Sequence, residues 1–189
     1  MALAGCQRGA PAESSSEALS RGHSDGLAIC PADTPDAVAP PPDQRLELGL
    51  SASGVQIYTC AATSDAKLAW TFTAPEAALF FGPFEVGKHF AGPSWELFDG
   101  SKVVTKKIAA ATVDPDAIPW LLTQTLSTSG EGLLSDVTYV QRLSTVGGLA
   151  PTSGCTVAGD AGKEARVPYS ADYFFYVQSP LPHHNRGCR

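Results

Sequence analysis

The residues with the most chemical potential stand close together in one short stretch. His89 follows Gly87-Lys88, and Trp95, Glu96 and Asp99 come soon after it. A histidine beside carboxylates can act as a general base or as a metal ligand. One histidine does not make a metal site, since zinc takes three or four protein ligands. No nucleophile is placed to work with it. His89 is therefore read first as a structural residue, hydrogen-bonded to backbone and ordering the loop at Gly92-Pro93. The second reading makes it the centre of a hydrolase or a metal-dependent oxidoreductase, with Glu96 or Asp99 as its partner. Neither a resident metal nor a cofactor is expected.

Other signatures are weaker. Gly130-Glu131-Gly132 with Ser135 falls short of G-x-G-x-x-G, because the third glycine is absent and no helix follows. A tight turn between strands is the better reading. There is no Walker A loop or H-E-x-x-H. His183-His184 would point to opposite sides of an extended chain and belongs to a frayed tail. Trp70, Trp95 and Trp120, with Tyr58, Tyr139, Tyr173 and Tyr176, are either core material or a stacking face for a carbohydrate or cell-wall ligand. Trp95, after Gly92-Pro93, is the candidate for a surface ring. His89, Trp95, Glu96 and Asp99 are thus the candidate binding residues.

The cysteines speak to compartment. There are five, Cys6, Cys30, Cys60, Cys155 and Cys188, with no C-x-x-C pair. Scattered cysteines suit structural disulfides in an oxidising compartment. Leu3-Ala4-Gly5-Cys6 resembles a lipobox, the cleavage site of bacterial lipoprotein signal peptides, although only Met1 and Ala2 precede it here. Cys6 is then the lipid attachment site and the membrane the partner it implies. That leaves four cysteines, which allow three pairings. Cys60–Cys155 within the domain and Cys30–Cys188 across its ends are the expected pairs.

These residues need elements to hold them. Residues 7–44 carry Ser14-Ser15-Ser16 and Pro40-Pro41-Pro42 and no apolar period, so residues 1–44 are read as a lipobox remnant and a disordered tether. From Arg45 short runs of β-formers alternate between turn residues. Leu46, Leu48 and Leu50 share a face. So do Val55, Ile57 and Thr59, and then Leu68, Trp70 and Phe72. Trp95–Phe98 and Val103-Val104 flank an Asp99-Gly100 hairpin turn. Further strands run from Trp120 toward Gly130, from Val137 to Leu143 and from Tyr173 to Val177. Single helical turns are expected at Pro75–Phe81 and Asp114–Ala117. Without βαβ alternation, the fold class is mostly β: an antiparallel sandwich or barrel-like single domain over 45–178, with long loops, ending in a tail over 179–189.

Composition narrows the partners. The chain has 189 residues, 43% hydrophobic and 17% charged, with a net charge of -6. Such low charge does not fit a coiled coil, and the acidic balance offers no basic field for nucleic acid. No segment approaches the ~18 apolar residues of a membrane-spanning helix.

One resemblance draws these pieces together. Gly54-Val55-Gln56-Ile57-Tyr58-Thr59-Cys60 precedes Trp70-Thr71-Phe72 and Pro75-Glu76-Ala77. Then come His89, Gly92-Pro93-Ser94-Trp95-Glu96 and Asp99-Gly100-Ser101. Ile118-Pro119-Trp120-Leu121, Tyr139-Val140-Gln141-Arg142, Thr145-Val146-Gly147-Gly148 and Ala171-Asp172-Tyr173 follow. This succession, from Leu46 to Val177, resembles the DUF3455 family of secreted or envelope proteins. The resemblance implies export and a compact domain and supplies no catalytic residue. The functional expectation is an exported bacterial envelope protein, periplasmic or on the outer surface and anchored through Cys6. Its β domain is expected to bind a ligand or protect the envelope without catalysis.

Overall fold

The structure, a computed structural model, describes Ile29 and residues 31–179. Cys6, Cys30, Cys188 and His183-His184, and with them the lipid site and the second disulfide, lie outside the described residues. Eight strands make the architecture: β1 (Gln44–Ala62), β2 (Leu68–Phe81), β3 (Phe84–Phe90), β4 (Ser94–Leu97), β5 (Lys102–Ala111), β6 (Trp120–Ser129), β7 (Val137–Gly147) and β8 (Glu164–Gln178). Each pairs antiparallel with the next, and β8 returns to β1, so the sheet closes on itself as a barrel. The mostly β, antiparallel class expected from the sequence holds. Closure also removes the unpaired edges that an open sheet must protect.

Alternation along the strands sorts side chains into two layers. Tyr169, Ala171, Tyr173, Phe175 and Val177 of β8 face inward, with Leu50, Leu79, Trp95, Leu97, Val103 and Val140. Phe174 and Tyr176, between them, face outward with Trp120, Leu122 and Leu143. An apolar outer face needs a cover. The segment before β1 supplies it. A 3₁₀ turn at Asp36–Val38 places Val38, fully buried, on this layer, and Ile29 packs against it. Gln141, also on the outer face, donates from Nε2 to Val38 O at 2.7 Å and accepts from Tyr176 Oη at 3.0 Å. The tether expected up to residue 44 therefore ends sooner. Val38 has no apolar period around it in sequence, but burying one valine against five apolar side chains, in a segment stiffened by proline, offsets the cost of ordering it.

One other expectation changes and one holds. Pro75–Phe81 is not a helical turn but part of β2, with Gln56 opposite Pro75 and Gly54 opposite Ala77. Gly54 has a steric reason to be glycine: a Cβ there would lie 2.1 Å from Glu76 O. The expected turn at Asp114–Ala117 is a single one, closed by Ala117 N to Asp114 O and by Asp116 N to the Asp114 carboxylate.

The end where β1 starts is sealed. Leu134, from the β6–β7 connection, is fully buried beside Val137, Leu97 and Val103. Asp99, in the β4–β5 turn, holds this seal. Its Oδ1 accepts from Ser101 N and Oγ at 2.8 and 2.6 Å, and its Oδ2 from Leu133 N at 2.9 Å. The opposite end is roofed by the long β7–β8 connection. Cys60, near the end of β1, is disulfide-bonded to Cys155 of that connection, with Cα atoms 5.5 Å apart. Trp70 Nε1 donates to Ser153 O and Tyr58 Oη to Gly148 O, fixing the same roof.

Candidate functional site

A gap in the wall positions the site. β3 pairs with β2 only from Ala77 onward, and β4 meets β5 only over Lys102–Val104. β2 and β5 both continue past the point where β3 and β4 stop. A slot remains between them, with Ala91-Gly92-Pro93 at its base, Phe72, Thr73 and Pro75 on one side and Lys107 and Ala110 on the other. The slot and the cavity it leads into together measure about 450 Å³. Small-molecule sites commonly measure roughly 300–1,000 Å³, and eight-stranded barrels have an interior just wide enough for side chains or one small ligand.

His89 and Trp95 stand directly opposite each other on β3 and β4 and form one wall of the cavity. Their rings stack, with centroids 4.4 Å apart and planes 12° from parallel. Tyr173 of β8 lies 4.9 Å from His89 and 5.3 Å from Trp95, edge-on to the indole. Such a cluster gains both area and ring electrostatics. His89 Nδ1 bonds Ser94 O at 2.9 Å. A carbonyl oxygen accepts only, so Nδ1 carries the hydrogen and Nε2 the lone pair. Burial depresses the His89 pKa from 6.5 to about 3; the bond to Ser94 O opposes this shift and the positive charge of Arg142 adds to it. The ring is neutral at any ordinary pH.

Of the four candidate binding residues, the fold brings two together. Glu96 is next to Trp95 in sequence, so its side chain takes the outer face, where it pairs with Lys88 at 3.3 Å. Asp99 is at the sealed end. Burial pushes its pKa up, but hydrogen bonds from Ser101 and Leu133 outweigh that and hold it below the usual carboxylate range. Neither carboxylate lines the cavity with His89. Trp95 is not the surface ring expected from its position after Gly92-Pro93: only 2% of it is exposed. The turn at Gly92-Pro93 reverses the chain, and strand alternation then directs the indole inward. Trp120 is in the outer apolar layer and Trp70 on the roof, so the three tryptophans share no common face.

Sequence reasoning missed Gln56 and Arg142, which complete the polar part of the cavity with Tyr58, one of the aromatics read as core or stacking face. Gln56 and Tyr58 are on one strand face in the sequence pattern, and that was the available signal. Arg142 carried none, because a lone arginine in a β run reads as a solvent-facing residue. Its Nε and Nη2 both donate to Pro119 O, at 3.2 and 2.7 Å. Burial raises the pKa values of Tyr58 and Tyr173, with Arg142 pulling back in each case, so both phenols are neutral. Among the described residues no group of three or more His, Cys, Asp or Glu is arranged to hold a metal ion.

Fold and site together describe a closed antiparallel β-barrel with an internal aromatic cavity entered through its wall. The chain belongs to the DUF3455 family: that family's model, described as a protein of unknown function, matches residues 41–83 and 82–177. No curated protein and no solved structure matches the chain.

Proposed function

We propose that this is an exported binding protein that encloses one small, largely apolar molecule within its barrel and is held at a bacterial membrane by lipid on Cys6. The observation that carries the reading is the cavity itself. It is a half-open space of about 450 Å³ that runs from a slot between β2 and β5 down to His89, Trp95 and Tyr173. A well-packed interior leaves few voids larger than a water molecule. A space of this size with a formed entrance suits a ligand better than it suits packing. Export is supported by the Cys60–Cys155 bond, which needs an oxidising compartment. The anchor rests on Leu3-Ala4-Gly5-Cys6.

Binding is favoured over chemistry at His89 by what surrounds it. Among the described residues no Asp, Glu, Ser or Cys lines the cavity, so on this side of the strand His89 has no carboxylate to orient it; Thr123, the hydroxyl at depth, is held by Val140 O. Its pKa, near 3, is far from that of a general base poised for neutral pH. A carbohydrate polymer would need an open groove, so a cell-wall ligand would enter as a small fragment or a lipid-like part.

The test is a small-molecule screen read by melting temperature and tryptophan fluorescence, since bound ligand stabilises the native state and Trp95 reports from the wall. Ala110→Trp plugs the slot and serves as the control. Ligands that raise the melting temperature of the parent protein and lose their effect in Ala110→Trp support the cavity. Ligands that act equally on both proteins, or no ligand at all, refute it. For the anchor, Cys6→Ala is compared with the parent by membrane fractionation, with an export signal placed upstream of both. Equal solubility of the two refutes lipidation.

A further inference from the structure

Among the described residues, Arg142 is a cation without an anion. Val140 faces the interior, so Arg142, two residues along β7, does too, and it lines the cavity. The groups within electrostatic reach of it are Tyr58 of β1, His89 of β3 and Tyr169 and Tyr173 of β8. All four are uncharged at neutral pH. Asp172 pairs across from Leu143, but it alternates with the inward Ala171 and Tyr173 and so occupies the outer face. The ion pairs among the described residues use Arg45, Lys67, Lys88, Lys163 and Arg166, never Arg142. Arg142 is half-buried, and a charge partly withdrawn from water is stabilised by a partner. Here the fold supplies only neutral acceptors: Pro119 O and, close by, the Tyr173 hydroxyl.

A second observation points the same way. Trp95 Nε1 is a buried donor with no hydrogen-bond partner, on a residue 2% exposed, whereas the Gln56 amide, equally buried, lies against the Tyr169 hydroxyl. Both residues line the same cavity. Buried donors normally find acceptors, and each orphan costs about 1–3 kcal/mol. Among the described residues the cavity thus offers donors at Arg142 and Trp95, one acceptor at His89 Nε2, and no carboxylate. A cationic ligand, or one that brings only donors, would leave these groups unmatched. A ligand that brings acceptors and one negative charge would match them.

The charge count sets the class further. Arg142 is the cavity's one cation at depth, and Lys107 is an exposed residue at the mouth. One guanidinium neutralises one charge, and its planar fork fits the two oxygens of a carboxylate. A dianion such as a phosphate monoester would want more donors than this. The remaining wall, with Phe72, Ile118, Leu121 and Val140, is apolar. We infer that the cavity takes a monocarboxylate with an apolar or aromatic body, its carboxylate on Arg142 and its body against Trp95, Ile118 and Val140. This rests on the reading of the barrel as a binding protein and names the class of molecule bound.

The experiment compares acids with their neutral isosteres. 3-Phenylpropanoate and octanoate, each beside its carboxamide, are titrated by calorimetry and tryptophan fluorescence against the parent protein, Arg142→Gln, Arg142→Lys and Lys107→Gln. The parent should bind each acid at least about tenfold more tightly than its amide, the size of one charge-assisted pair. Arg142→Gln should bring that ratio below about twofold by weakening the acid alone. Lys107→Gln, at the mouth, should lower the ratio less than Arg142→Gln does, and an equal or larger fall overturns the assignment to Arg142. If Arg142→Gln does not fold, Arg142→Lys decides the matter. Its ammonium lacks the fork, so the ratio should fall several-fold, and an unchanged ratio overturns the assignment. Equal binding of acid and amide by the parent overturns the carboxylate inference while the cavity reading stands. Failure of acids and amides alike to bind overturns both. Inorganic phosphate binding as tightly as the acids would also overturn the inference.

Discussion

His89 should make this protein acid-sensitive in a measurable way. In the unfolded chain the ring takes a proton with a pKa of 6.5, whereas in the native barrel burial holds it neutral down to about pH 3. Between those values the unfolded state binds one more proton than the native state. Stability therefore falls as pH falls, at up to about 1.4 kcal/mol per pH unit. From pH 7 to pH 4.5 this single group should remove about 2–3 kcal/mol. A native value near 4 instead of 3 would change that loss by only a few tenths of a kcal/mol, because pH 4.5 lies above both. Carboxylates titrate in the same range, so the quantity to measure is a difference. Guanidinium unfolding from pH 7 to pH 4.5 is compared between the parent protein and His89→Gln, whose amide never charges. At pH 7 the variant should be the less stable, having lost the stack on Trp95. Its stability should fall less steeply with acid, so the gap should shrink by about 2–3 kcal/mol at pH 4.5. Parallel stability curves, or a His89 ring resonance titrating near pH 6.5 by NMR, would refute the reasoning.

The remaining predictions concern the frame. The Cys60–Cys155 bond closes a loop across a sequence separation of 95; by the chain-entropy model, replacing both with serine should cost about 4–5 kcal/mol. At about 3–4 °C per kcal/mol for a domain of this size, calorimetry should show a melting temperature lower by more than 10 °C, and a shift under ~3 °C would sink that estimate. Gly54→Ala sets a methyl 2.1 Å from Glu76 O, so β1 and β2 must separate at that point; a loss of roughly 2–3 kcal/mol in denaturant unfolding is expected, and a neutral result would be incompatible with the strand pairing. Asp160 is held at a pKa of about 2 by the side-chain bond from Lys163 first, then by the Thr156 and Val157 amides. Its contribution should be complete above about pH 4 and be lost toward pH 2. Asp160→Asn should speed hydrogen exchange at Thr156 and Val157 at pH 6, and unchanged protection there would show that the carboxylate does not organise the roof.

Local pattern alone was enough to read most of the strands. Val55 to Cys60 and Leu68 to Phe72 alternate, a two-residue period visible without a partner strand; Leu48 and Leu50 share the inner face as expected, but a bulge between Leu46 and Leu48 turns Leu46 to the outer apolar layer. The Asp99-Gly100 turn was legible for a similar reason: Gly100 has φ +91°, which favours glycine. Sequence also set His89 and Trp95 apart, through the residues around them. What it left open was decided by non-local geometry. Nothing in the order of residues says that β8 returns to β1, because closure depends on the accumulated twist and stagger of all eight strands. Nor does proximity in sequence predict proximity in a barrel. Glu96 and Asp99, close to His89 in the chain, go to the outer face and to the sealed end. Arg142, distant in the chain, stands beside the cavity. The local sequence fixes which way a side chain alternates, but only the closed sheet decides which strands face one another across the interior, and so which charge is left there without a partner.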